Sequence, residues 1–112
     1  MTVNILGTQW IVDRLSVETD TRLNDADGFS DWTTKRIVVR DEKDIYEGTL
    51  EDMEEYVKKV LRHEIVHAFF FESGLHECSG QAEAWASNET MVDWIARQGP
   101  KIYKAWEEVG AL

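Results

Sequence analysis

Residues 49–74 read TLEDMEEYVKKVLRHEIVHAFFFESG, and this stretch decides the fold. Met53, Val57, Val60, Leu61, Glu64, Ala68 and Phe71 recur at helical spacing and draw one stripe along a long amphipathic helix. Thr49 is the expected N-cap. Glu51, Asp52, Glu54 and Glu55 crowd the first turns, where the helix dipole favours negative charge. Gly74 is the expected stop.

Upstream, Gln9-Trp10-Ile11-Val12 reads as a strand, and Ser16-Val17-Glu18-Thr19 as its continuation in a meander. Asn24-Asp25-Ala26-Asp27-Gly28 has turn chemistry, with Gly28 free to take a positive φ. Lys35-Arg36-Ile37-Val38-Val39-Arg40 is the clearest strand, three β-branched residues bounded by charge. Downstream, a second helix is expected from Ser79 or Gly80 to about Gln98. Gly99-Pro100 should break it and open a short last helix carrying Ile102, Trp106 and Val109. Strands followed by helices predict an α+β domain: a small N-terminal antiparallel sheet, two main helices and a short C-terminal helix.

With 112 residues the chain holds one core, so residues 1–112 read as a single domain. Hydrophobic residues make up 43% and charged residues 30%, which excludes collagen-like and disordered classes. The formal net charge of −10 argues against nucleic-acid or anionic-membrane partners, whose phosphates it repels. The longest apolar run, Ala68-Phe69-Phe70-Phe71, is far short of a membrane span. Met1-Thr2-Val3-Asn4 is not a basic segment leading into an apolar stretch, so no secretory signal is expected; with Cys78 as the single cysteine, an intracellular, cytoplasmic setting is expected.

The chemistry lies in His63-Glu64-Ile65-Val66-His67, an H-E-x-x-H pattern. Two histidines four apart stand about 40° apart round a helix, so both rings can reach one metal ion. Glu64 lies beside them, placed to take a proton from activated water. With three histidines and thirteen glutamates in the chain, shuffling yields the pattern roughly 0.01 times per sequence. A catalytic zinc takes three protein ligands. On a helical wheel Glu89 and Asp93 share the face of Ala82, Trp85, Ala86, Val92 and Ala96, which is expected to pack inward. Two carboxylates there repel each other, and a cation relieves them. Glu89 is the favoured third ligand, with Asp93 accepting a hydrogen bond from a ligating histidine. Glu83 is the rival ligand. His76 and Cys78 offer a closed structural site with His63 and His67. Tyr56, Tyr103 and His76 are the candidates to stabilise an oxyanion.

His63-Glu64-x-x-His67 followed by Asn88-Glu89-x-x-x-Asp93 resembles the H-E-x-x-H plus N-E-x-x-x-D signature of the gluzincin metallopeptidases. The pattern is also similar to small zincins encoded by bacterial phages and prophages, and Glu83 before Ala84-Trp85-Ala86 to the third ligand of ImmA/IrrE-type zincins. The gluzincin resemblance implies a zincin-like fold and one Zn²⁺ per chain held by His63, His67 and Glu89. Glu64 would be the general base and Asp93 the histidine's partner. It implies a zinc-dependent peptidase acting on a protein or peptide. Ile37-Val38-Val39, just before the active-site helix, is expected to be the edge strand that receives an extended substrate. The alternative is a catalytically inactive, zinc-stabilised module working through protein contacts.

Overall fold

A computed structural model describes residues 1–41, 43, 49–78, 88–108 and 110. Four strands come first: β1 (Thr2–Ile5), β2 (Thr8–Leu15), β3 (Gly28–Asp31) and β4 (Arg36–Arg40). Three helices follow: α1 (Met53–Glu72), the single turn α2 (Leu75–Cys78) and α3 (Glu89–Glu108). The α+β class read from the sequence is the one observed.

The strand order is β1-β2-β4-β3, and the sheet is mixed rather than antiparallel throughout. β1 and β2 form a hairpin whose turn places Leu6 and Gly7 at φ 50° and 92°, the left-handed pair that suits the twist of adjoining strands. β2 then pairs parallel with β4, Val12 opposite Ile37. β3 pairs antiparallel with β4, Phe29 opposite Val38. The expected meander strand at Ser16–Thr19 is a turn leading to a 3-10 segment, Thr21–Asn24.

This topology corrects one sequence expectation. Ile37, Val38 and Val39 do not form an edge strand. β4 is flanked by β2 and β3, and all three side chains are fully buried. An unbroken apolar run is the pattern of a strand covered on both faces. The edge beside α1 is β3.

Ile5, Trp10, Val12, Ile37 and Val39 of the sheet pack against Val57, Val60 and Ala68 of α1. Each fully buried aliphatic side chain of this kind contributes about 1.5–3 kcal/mol. Trp10 Nε1 and Lys35 Nζ both reach Glu72 Oε1 at 2.8 Å, tying the end of α1 to the sheet. Asp52, not Thr49, caps α1, its Oδ1 accepting from the Glu55 amide at 3.0 Å. Gly28 serves close approach, not a positive φ. A Cβ there would lie 2.8 Å from Val60 Cγ1 and 3.2 Å from Glu64 Cγ. The glycine therefore lets β3 press directly against the middle of α1.

The short C-terminal helix is not a separate element, for α3 runs unbroken through Gly99 and Pro100. Proline has no amide hydrogen, so the Ala96 carbonyl loses its partner four residues on. Arg62 of α1 replaces it, Nε donating to Ala96 O at 3.0 Å. The expected start of the second helix at 79–80 lies outside the described residues. α3 packs chiefly on α1, through Val92 and Ala96. Among the described residues no helix is long and apolar enough to cross a membrane.

Candidate metal centre

His63 and His67 stand one turn apart on α1, their rings edge to face at a centroid distance of 4.9 Å. Their Nε2 atoms are 3.2 Å apart. Glu89, the first residue of α3, closes the triangle: Oε2 is 2.9 Å from His63 Nε2, and Oε1 is 3.1 Å from His67 Nε2. A tetrahedral ion with bonds of about 2.0–2.1 Å spaces its ligand atoms about 3.3 Å apart. The three groups thus converge at the separation such an ion needs, and the His63-Glu64-His67 group can hold a metal ion. Burial pushes the His67 pKa down, opposed by Glu89. The neutral ring, which is the ligating form, is therefore favoured.

Glu64 is only 6% exposed. Burial raises its pKa, opposed by the Ser30 hydroxyl and by His63, while nearby Glu89 adds to the rise. Ser30 Oγ lies 2.7 Å from Glu64 Oε2 and 2.8 Å from the Glu64 main-chain oxygen. The carboxylate is thereby oriented from the β3 edge. A carboxylate of raised basicity and fixed direction, next to a metal site, is suited to proton transfer. Nothing in the local sequence marks Ser30, because its partner lies 34 positions away.

Asp93 meets His63 as expected, with Oδ1 3.3 Å from Nδ1. It is also gripped by two cations that sequence reasoning did not assign. Lys59 Nζ is 2.6 Å from Oδ1, and Arg97 Nε is 2.6 Å from Oδ2. Lys59 above all, then Arg97 and His63, hold the Asp93 carboxyl well below the usual carboxylate range. The argument that placed Glu89 on a buried face is corrected here: its side chain is 72% exposed. Asp93 is half-buried, and it is Lys59 and Arg97 that neutralise it. The i,i+4 spacing of Asp93 and Arg97 was a readable signal for that pair.

The other candidates separate. Glu83 lies outside the described residues. Cys78 ends α2, and its side chain is not among those described. His76 rests on the Phe71 ring at 4.5 Å, and Phe71 in turn lies against His67. Tyr56 hydrogen-bonds Asp27 through its hydroxyl and lines a pocket of about 210 Å³ with Lys59, His63, Glu64 and Glu89. Tyr103 is exposed. A second pocket, of about 350 Å³, lies between β3 and α1, walled by Phe29, Ser30, Glu64, His67, Phe71 and Glu89. No protein family, curated protein or solved structure matches this chain.

Proposed function

We propose that this chain is a zinc-dependent peptidase. One observation carries the reading: two imidazole nitrogens and a carboxylate converge within 3.2 Å of one another beside a buried, oriented glutamate. His63, His67 and Glu89 are the residues that would hold zinc, since two nitrogens and one carboxylate oxygen match its preferred donors and leave a position open. Bound there, zinc supplies a Lewis acid that acidifies water and polarises a carbonyl.

The protein's own groups supply the rest. Glu64 accepts the proton of the attacking water and returns it to the departing amine. Ser30 holds the Glu64 carboxylate in place for both transfers. An extended peptide lies along β3, whose outer edge borders the 350 Å³ pocket, and its main chain pairs there as an added strand. A site built only to brace the fold has no use for a buried carboxylate beside the ligands.

The test has two parts. Zinc titration of the purified protein should reach one ion per chain, with His63→Ala and His67→Ala abolishing stoichiometric binding. Glu64→Gln should keep the metal and lose hydrolysis of a mixed peptide library. Zinc binding with no hydrolysis by the unaltered protein supports the binding module instead, and equal hydrolysis by Glu64→Gln removes the proposed base.

A further inference from the structure

Asp93 joins two cations of different placement, and the difference has a functional consequence. Lys59 belongs to α1, so its 2.6 Å bond to Asp93 crosses between helices. Arg97 belongs to α3, so its 2.6 Å bond stays within that helix, one turn from Asp93. Resting on the proposed metal-binding role of His63, His67 and Glu89, we propose that these two residues set the metal affinity in opposite directions. Lys59 is a positioning residue that presents Glu89, and Arg97 weakens the grip of His63.

The case for Lys59 starts from Glu89, which is exposed and sits at the first residue of α3. Its carboxylate reaches the two imidazoles of α1 from α3, so the docking of that helix decides whether it can meet them. α3 rests chiefly on α1, with Val92 and Ala96 its buried side chains among the described residues. Asp93 lies one turn beyond Glu89 on the same face, so clamping Asp93 to Lys59 also fixes Glu89. A ligand already held in its bound place binds more tightly than one that must be ordered on binding.

The case for Arg97 starts from His63. A carboxylate that accepts from the far ring nitrogen of a ligating histidine raises that ring's basicity and the metal affinity. Here the His63–Asp93 separation is 3.3 Å, whereas each cation lies at 2.6 Å. The carboxylate is thus held more closely by the cations than by the ring, and its negative charge is shared with them. Arg97 is largely exposed and, among the described residues, bonds within its own helix, so removing it releases Asp93 to His63 without undocking α3. Arg97 also lines a pocket with His63 and Glu89, where its charge repels a cation.

Both cations bond Asp93 at 2.6 Å and carry the same sign, so their electrostatic effects through it point the same way, that of Lys59 being the larger. The difference between their removals isolates the docking role of Lys59. The experiment is a zinc titration against a competing chelator at pH 7.5, reading the dissociation constant and no activity. Arg97→Leu should bind zinc about three- to tenfold more tightly than the unaltered protein. Lys59→Met should bind about tenfold more weakly, and Lys59→Arg should return to within about threefold. In a Glu89→Ala background the Lys59→Met penalty should vanish, because no third ligand remains to be presented.

Should Lys59→Met not fold, Lys59→Gln keeps a hydrogen bond to Asp93 without the charge and should shift in the Arg97→Leu direction. Arg97→Leu and Lys59→Met moving together, or a Lys59→Met penalty that survives in Glu89→Ala, overturns the inference. No zinc binding by the unaltered protein overturns it and the metal reading together. The expected shifts without any peptide hydrolysis keep this inference and remove only the peptidase.

Discussion

Helix α1 has two working faces, and they are built from opposite materials. Toward the sheet it presents Val57, Val60 and Ala68 to Trp10, Ile37 and Val39, a dry contact. Toward α3 it presents Lys59, Arg62, His63 and His67, which meet Asp93, the Ala96 carbonyl and Glu89. Apolar burial is non-directional and tolerates small shifts, so it secures the fold. Charge-assisted hydrogen bonds demand particular atoms at particular distances, so they secure a site. The dry face thus makes the scaffold, and the polar seam places the chemistry.

The strongest way to break that contrast is to cut the dry face. Trp10→Ala removes a fully buried ring and should cost about 3–5 kcal/mol. Chemical denaturation should show the same loss with and without zinc, since the lesion lies on the sheet side of α1. A loss that zinc largely restores would show that the two faces are not independent.

Cutting the seam should act on the metal instead. Asp93→Ala removes the partner of His63 Nδ1 and the anchor of Lys59, and should weaken zinc binding by about 10- to 100-fold. Acid should attack the same face. His67 is neutral in the fold at pH values where a free imidazole is already protonated, because burial depresses its folded pKa. Stability linked to this ring is therefore present in full above the free value of about 6.5, where folded and unfolded states are both neutral, and is lost as pH falls below it toward the lower folded value, because the unfolded state takes up the proton first. Protons also compete with zinc for the ring. A pH series of apo and zinc-loaded melts from 8 to 5 should show the zinc-induced gain shrinking toward the acid end. A gain that is constant across the series would remove His67 from the metal.

Between these lies Gly28, where scaffold and site touch. Gly28→Ala places a methyl 2.8 Å from Val60 Cγ1 and 3.2 Å from Glu64 Cγ. Overpacking of this kind costs about 1–3 kcal/mol, and it should also loosen the Ser30–Glu64 contact. Equilibrium denaturation checks the first effect; an unchanged stability would mean that β3 can retreat from α1 freely.

Legibility in the sequence followed the range of the interaction. The period of Met53 to Phe71 and the H-E-x-x-H spacing are local, and both the helix and the placing of His63, Glu64 and His67 together follow from them. The strand at Ile37–Val39 is local too, but its place in the sheet is not. The parallel pairing of β2 with β4 is set by the whole topology, though the unbroken apolar run was a clue that β4 lies inside. Ser30 reaches Glu64 across 34 positions and Lys59 reaches Asp93 across the helix seam, so neither has a local pattern to betray it. The proximity of Glu89 to the histidines agrees with the motif, but burial is not its cause, for the side chain is 72% exposed.

The smallest expected effect tests the most misleading local signal, Gly99-Pro100. Proline reads as a break because the carbonyl four residues earlier loses its donor, yet α3 continues. The compensation is remote: Arg62 Nε donates to Ala96 O at 3.0 Å, and Ala96 is buried. Arg62→Met should leave that carbonyl unpaired, at about 1–3 kcal/mol. Pro100→Ala restores an amide hydrogen at the position that normally supplies the bond, so it makes Arg62 redundant there. The two substitutions should therefore couple. Arg62→Met should cost about 1 kcal/mol less in the Pro100→Ala background than alone, a value within the range that contacting pairs show. A double-mutant cycle by urea denaturation measures this directly. Additive costs would mean that the Arg62 contact is incidental and that α3 passes Pro100 by some other means, leaving the seam with one polar tie fewer.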